Sequence, residues 1–92
     1  MRLISQNGAI DVPYEMSAIR NDDNAIILCM AGEIGKGSVI ATYSTSEKAQ
    51  KAMEMLRQKY KDYAKATNKS NFFTMFDYPK VFQFPQDEDL EV

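Results

Sequence analysis

Across residues 49–64, Ala49, Ala52, Met53, Leu56, Tyr60, Tyr63 and Ala64 recur at a spacing that gathers all seven within a helical wedge of about 120°. No other stretch constrains the fold as tightly, because such a stripe is stable only when laid against a second apolar surface. Just upstream, Ser44-Thr45-Ser46-Glu47 has the form of a capping box. In it the Ser44 hydroxyl accepts from the Glu47 amide while the Glu47 side chain reaches back. One amphipathic helix is therefore predicted over residues 44–67, its last turn near Ala66, with a polar loop over 67–71.

The surface for this helix must come from the preceding residues. Asn7-Gly8 is a short-range hairpin signal, since a two-residue type I′ turn needs positive φ at both positions. That turn sets Leu3 opposite Val12, Ser5 opposite Ile10 and Ile4 opposite Asp11. Pro13 lacks an N–H and is expected to end the second strand or lie on a sheet edge, which leaves Tyr14 and Glu15 at a corner. Residues 16–20 read as a third strand and 20–24 as a turn. The run 25–31, AIILCMA, is too short for a typical helix and reads as a central strand buried on both faces. A loop over 32–37 then leads into a fifth strand over 38–43, rich in β-formers. The C-terminal part is aromatic over 68–84, with a short strand at 81–84, and ends in a mobile acidic tail over 85–92. The fold class expected is α+β. It comprises an antiparallel meander of four to five strands (residues 1–43), one long helix on one face and an extended C-terminal segment.

Ninety-two residues supply one modest core and hence one domain. The longest apolar run falls well short of the roughly 20 residues that span a bilayer, so no membrane segment is expected. No basic stretch followed by an apolar one marks a leader, and a single cysteine, Cys29, lies inside the apolar run as a small buried hydrophobe. These features together imply a reducing, cytoplasmic setting. A net charge of −2 argues against general nucleic-acid binding. The charge is unevenly spread, with a basic helix and the acidic tail Asp87, Glu88, Asp89 and Glu91. Attraction between the two, within one chain or between two, is expected.

The chain has no histidine, which removes Ser-His and Cys-His catalysis and His-ligated zinc. One cysteine removes Cys-zinc sites and CxxC redox motifs. GEIGKGS, residues 32–38, lacks the spacing of a phosphate loop. Asn68-Lys69-Ser70 matches a glycosylation sequon that has no meaning in a cytoplasmic setting. The tail carboxylates lack a structured loop to gather a cation, and no carboxylate pair is set across a cleft. The expectation is a non-enzymatic protein without metal or cofactor.

Two features point to binding. Arg57 and Lys61 are i,i+4 neighbours at the border of the apolar wedge, placed to reach toward an anion, with Arg57 forking onto phosphate or carboxylate oxygens. Tyr14, Tyr43, Phe82 and Phe84 are candidates for flat stacking surfaces beside them. The plainer alternative is a basic rim snorkelling over aromatic core residues. Met55 is the second feature. It falls on the polar side of the helix, either as a lone exposed methionine or as a helix-to-helix contact of a homodimer.

The stretches MRLISQNGAIDVPYE, ATYSTSEKAQKAMEMLR and VFQFPQDE together resemble a family of short uncharacterised proteins carried by prophages and mobile elements of gut Firmicutes. The resemblance covers roughly the first 65 residues and the last dozen. It implies a phage-derived protein in the cytoplasm of an infected or lysogenic bacterium. In plan alone, strands feeding a long helix with paired basic residues are also similar to the Thoeris anti-defence sponge proteins. That likeness implies a dimer that sequesters a small anionic, nucleotide-like signal of the cyclic ADP-ribose type, with Arg57 and Lys61 as its matching pair. The other reading is an interaction module that docks on a host or phage protein.

Overall fold

The N-terminal hairpin adopts the register its sequence predicts. Strand β1 (Arg2–Ile4) runs antiparallel to β2 (Asp11–Pro13), with Leu3 opposite Val12 and Ile4 opposite Asp11. The turn itself differs from the type I′ expected. The Gly8 N–H donates to the Ser5 carbonyl (3.0 Å), and Gly8 alone in the turn takes a positive φ, +78°. Asn7 bends the chain with its side chain instead. Its Oδ1 accepts from the Ala9 N–H (2.9 Å) and the Ser5 hydroxyl (2.8 Å), so the left-handed region is not needed there. The Ser5 Oγ in turn accepts from the Ile10 N–H, which satisfies the one buried polar side chain among the described residues. The computed structural model describes residues 1–30, 37–69 and 81–91, the side chains of 66–69 excepted. The loop predicted over 32–37, apart from Gly37, and the sequence 70–80 lie outside the described residues.

Strands β3 (Ser17–Asp22), β4 (Ala25–Met30) and β5 (Ser38–Thr42) form an antiparallel sheet with β4 in the middle, as the apolar run implies. Asp23 turns β3 into β4 at φ +57°, a conformation that aspartate tolerates better than most residues. A register shift between Ile26 and Ile27 inserts one extra residue into β5. Both Ile40 and Ala41 consequently face the core, at 4% and 3% exposure. Cys29, on the opposite face of β4 from Ile26 and Leu28, is only half-buried and not enclosed as expected, although Ile27 on that face is buried.

Helix α1 (Ser46–Lys69) presents the predicted stripe to this core. Ala49, Ala52 and Leu56 are buried, and Met53, Tyr60 and Tyr63 pack at its margin. Two boundaries need correction. The helix starts one residue later than the capping box implies, and the cap is Thr45, whose Oγ1 accepts from the Lys48 N–H (3.2 Å). It also runs through residues 67–69, where a loop was expected, since no glycine or proline intervenes to stop it. Thr45→Ala is therefore expected to lower stability by about 0.5–2 kcal/mol, whereas Ser44→Ala changes it less. Urea denaturation midpoints of the two variants decide between the caps.

The class is α+β with one long helix, but the strands divide into two sheets. Strand β6 (Val81–Gln83) pairs with β1 in parallel, Leu3 facing Phe82, to give the order β2-β1-β6. The acidic end is not the mobile tail expected. Residues Asp87–Asp89 form a 3₁₀ turn, and Leu90 buries to 6% exposure in the common core. One apolar residue, Leu90, six positions past Phe84 anchors the strongly charged segment.

Gln6 joins the parts. Its N–H donates to the Ile40 carbonyl (2.9 Å), and its side-chain oxygen accepts from the Thr42 N–H (3.0 Å), which occupies the outer edge of β5. Its Nε2 donates to the Pro85 carbonyl (3.2 Å), and its own carbonyl accepts from Gln86 Nε2 (2.6 Å). A single residue thus bridges both sheets and the C-terminal segment.

Candidate functional site

The six residues proposed to hold a ligand separate into two groups. Tyr43, Phe82 and Phe84 are core residues, at 2%, 7% and 1% exposure. Phe82 and Phe84 point inward from β6 and meet edge to face, ring centroids 5.3 Å apart. Buried this deeply, the three rings belong to the core, and the stacking role assigned to them is withdrawn. Their period-2 spacing, Phe82-x-Phe84 beside exposed Val81 and Gln83, was the signal that they face the core.

Tyr14 stands where the hairpin corner was expected to put it, against α1. Its ring lies 4.6 Å from that of Tyr60, which in turn stacks on Tyr63 at 5.8 Å. The corner is pinned from two sides. The Tyr14 N–H donates to the Met1 carbonyl, and both Glu15 carboxylate oxygens accept from the Met1 ammonium (3.0 and 2.8 Å). That ammonium holds the Glu15 carboxyl below its ordinary range. Arg57 and Lys61 are exposed on the helix, and neither takes part in the ion pairs among the described residues.

Met55 is exposed to 39% and lines a groove of about 440 Å³ that opens on solvent. Gln58, Lys59 and Asp62 continue this flank of α1, and Val81 (47% exposed), with Phe82 and Gln83, forms the opposite wall from β6. At about 100° per residue, the flank carrying Met55 lies roughly 130° around the axis from Arg57 and Lys61. The basic pair and the groove therefore occupy different sides of the helix. A smaller depression of about 230 Å³, lined by Gln6, Asn7 and Val39–Thr42, lies at the β5 edge. Its volume is below the roughly 300–1,000 Å³ of small-molecule sites.

Electrostatics ties the acidic end to the helix start. The Asp87 carboxylate accepts from the Ser44 N–H (2.7 Å) and faces the Lys48 ammonium (3.5 Å). The Ser44 N–H is the main cause holding the Asp87 carboxyl below its ordinary range. Sequence reasoning expected the attraction between basic helix and acidic tail, though not its location at the positive end of the helix dipole. Tyr43 donates its hydroxyl to the Pro85 carbonyl (2.8 Å), and burial, with the nearby Asp87 charge, pushes its phenol up to about 12. The unfolded phenol titrates near 10, so the stability it contributes is whole below pH 10 and is lost as pH rises toward 12. An alkaline unfolding transition in that window, diminished in Tyr43→Phe, is the expected result in pH-resolved circular dichroism.

Among the described residues no cluster of three histidine, cysteine or acidic side chains is placed to hold a metal, and no helix is long and apolar enough to cross a membrane. Comparison with protein-family models, with curated proteins and with solved structures finds no match to this chain.

Proposed function

We propose that this chain is a non-enzymatic protein-interaction module whose docking surface is the groove between α1 and β6. One observation carries the reading: Met55 and Val81, exposed large apolar side chains on two different elements, converge on the walls of a single open groove. Scattered exposed hydrophobes are ordinary, but a shared apolar lining rimmed by amides and charges marks a contact surface. A photo-crosslinking residue at position 55, introduced into the chain in cells, tests it. Protein adducts from position 55, absent from an exposed control such as position 50, are expected; a position that yields none overturns the reading.

A second reading rests on the other flank. Tyr14 packed on Tyr60 sets an aromatic surface one helical turn from Arg57, with Lys61 beyond it. This trio suits a small anionic nucleotide-type ligand, in keeping with the phage-derived, defence-blunting role that the sequence resemblance implies. Calorimetric titration with cyclic ADP-ribose isomers and cyclic dinucleotides tests it. Arg57→Ala is expected to weaken binding about ten- to a hundred-fold, the loss of one charge-assisted contact. No heat with any of these ligands removes the reading.

A further inference from the structure

We propose that the occupant of the α1–β6 groove is a second copy of the same chain, docked about a two-fold axis; this rests on the interaction-module reading and names its partner. An interface around a two-fold axis uses one patch twice, so the patch must be complementary to itself. The groove meets that condition. Its exposed apolar residues, Met55 and Val81, are suited to packing on their own copies, and among the described residues its charged groups are one cation, Lys59, and one anion, Asp62. Lys59 and Asp62 are i,i+3 neighbours on one flank, yet they form no ion pair with each other or with any other described group. Among the described residues, Asp62 accepts from the amide of Gln58 (3.1 Å). A two-fold axis between two such flanks brings each Lys59 to the Asp62 of the other copy, making the same ion pair twice. A strongly acidic or strongly basic partner would instead set a like charge against Asp62 or Lys59.

The edge of β6 supplies a second element. The Phe84 N–H donates to the Ile4 carbonyl (3.1 Å), so in this parallel pairing Phe82 and Phe84 turn their main-chain groups toward β1. The main-chain groups of Val81 and Gln83 then face away from β1, on the side of the groove. An antiparallel β6 from the second copy continues the sheet there, and β-strand addition of this kind is a recurring mode of association.

Sedimentation analysis over about 1–100 µM, the range suited to a modest interface, reads the outcome directly. The wild type is expected to reach twice its 10.5 kDa chain mass. Lys59→Asp and Asp62→Lys each place like charges in both reciprocal pairs, and each is expected to weaken association by about tenfold or more. The double variant restores opposite charges and returns association to near the wild-type value. Asp62 is exposed and Lys59 half-buried, and neither belongs to the core, so the helical circular dichroism signal is expected to stay unchanged. A wild type that remains at the single-chain mass overturns the proposal, as does a double variant no tighter than the single ones. Crosslinks from position 55 that reach only other proteins overturn the self-docking inference and leave the interaction-module reading standing.

Discussion

Phe84→Ala is expected to destabilise the protein by about 3–5 kcal/mol, the usual cost of deleting a buried aromatic ring. At 1% exposure Phe84 is among the largest fully enclosed side chains, alongside Leu3, Ile26 and Leu56. Its ring packs edge to face on Phe82, and its N–H closes the β1–β6 ladder on Ile4. Domains of this size are stable by about 5–15 kcal/mol in all, so the variant loses a large share of the whole. Urea denaturation measures it. A loss under about 1 kcal/mol would place Phe84 outside the core and return it to the surface role that its aromatic composition first suggests.

Removing residues 86–92 is expected to cost about 3–4 kcal/mol, although the segment is mostly charged and reads as a solvated end. Leu90 supplies most of this, since burying a leucine is worth about 1.5–3 kcal/mol. The Gln86–Gln6 hydrogen bond adds about 1 kcal/mol. The contacts of Asp87 with Ser44 and Lys48 add an increment that solvent and salt screen. The same contacts give the loss a pH signature. The carboxyl of Asp87 is depressed in the fold, so its contribution is whole above its unfolded value, 3.8, and is lost as pH falls through the folded one. The full-length chain should therefore lose more stability on acidification than the shortened one. Equal acid sensitivity would show that Asp87 contributes nothing.

What could be seen in the sequence was what local periodicity encodes. The stripe from Ala49 to Tyr63 gave the packed face of α1, and the place of Asn7-Gly8 midway between Leu3 and Val12 gave the hairpin register, although the turn is not of the type I′ form. The helix start was displaced by one residue because Ser44 and Thr45 are both competent caps. The Ser44 amide is taken by Asp87, a residue 43 positions away, and no local rule registers that contact. The pairing of β1 with β6 was hidden for the same reason. Three residues at each end of a long separation carry no periodic signal, so the strand at 81 could be placed but its partner could not. Among the site candidates, aromatic type alone pointed to Tyr43, Phe82 and Phe84, while the tertiary packing that buries them is decided by the second sheet. Met55 was found because it breaks the helical pattern, and a break in a strong pattern is informative where its continuation is not.

The parallel β1–β6 pairing also bears on how the molecule is made. Synthesis delivers β1 well before β6, and the sheet that joins them cannot close until residues 81–83 have left the ribosome. Until then β1 has only the β2 hairpin, and a two-stranded ribbon is marginal in water. The β3–β4–β5 sheet and α1 depend on contacts nearer in sequence and are free to assemble earlier. A nascent chain stalled before Val81 should therefore hold a protected helix and second sheet beside an N-terminal hairpin that still exchanges its amide hydrogens quickly. Once β6 emerges, it makes β1 the central strand of the sheet, paired on both sides. The arrival of residues 81–83 is thus the step that commits the β2-β1-β6 sheet.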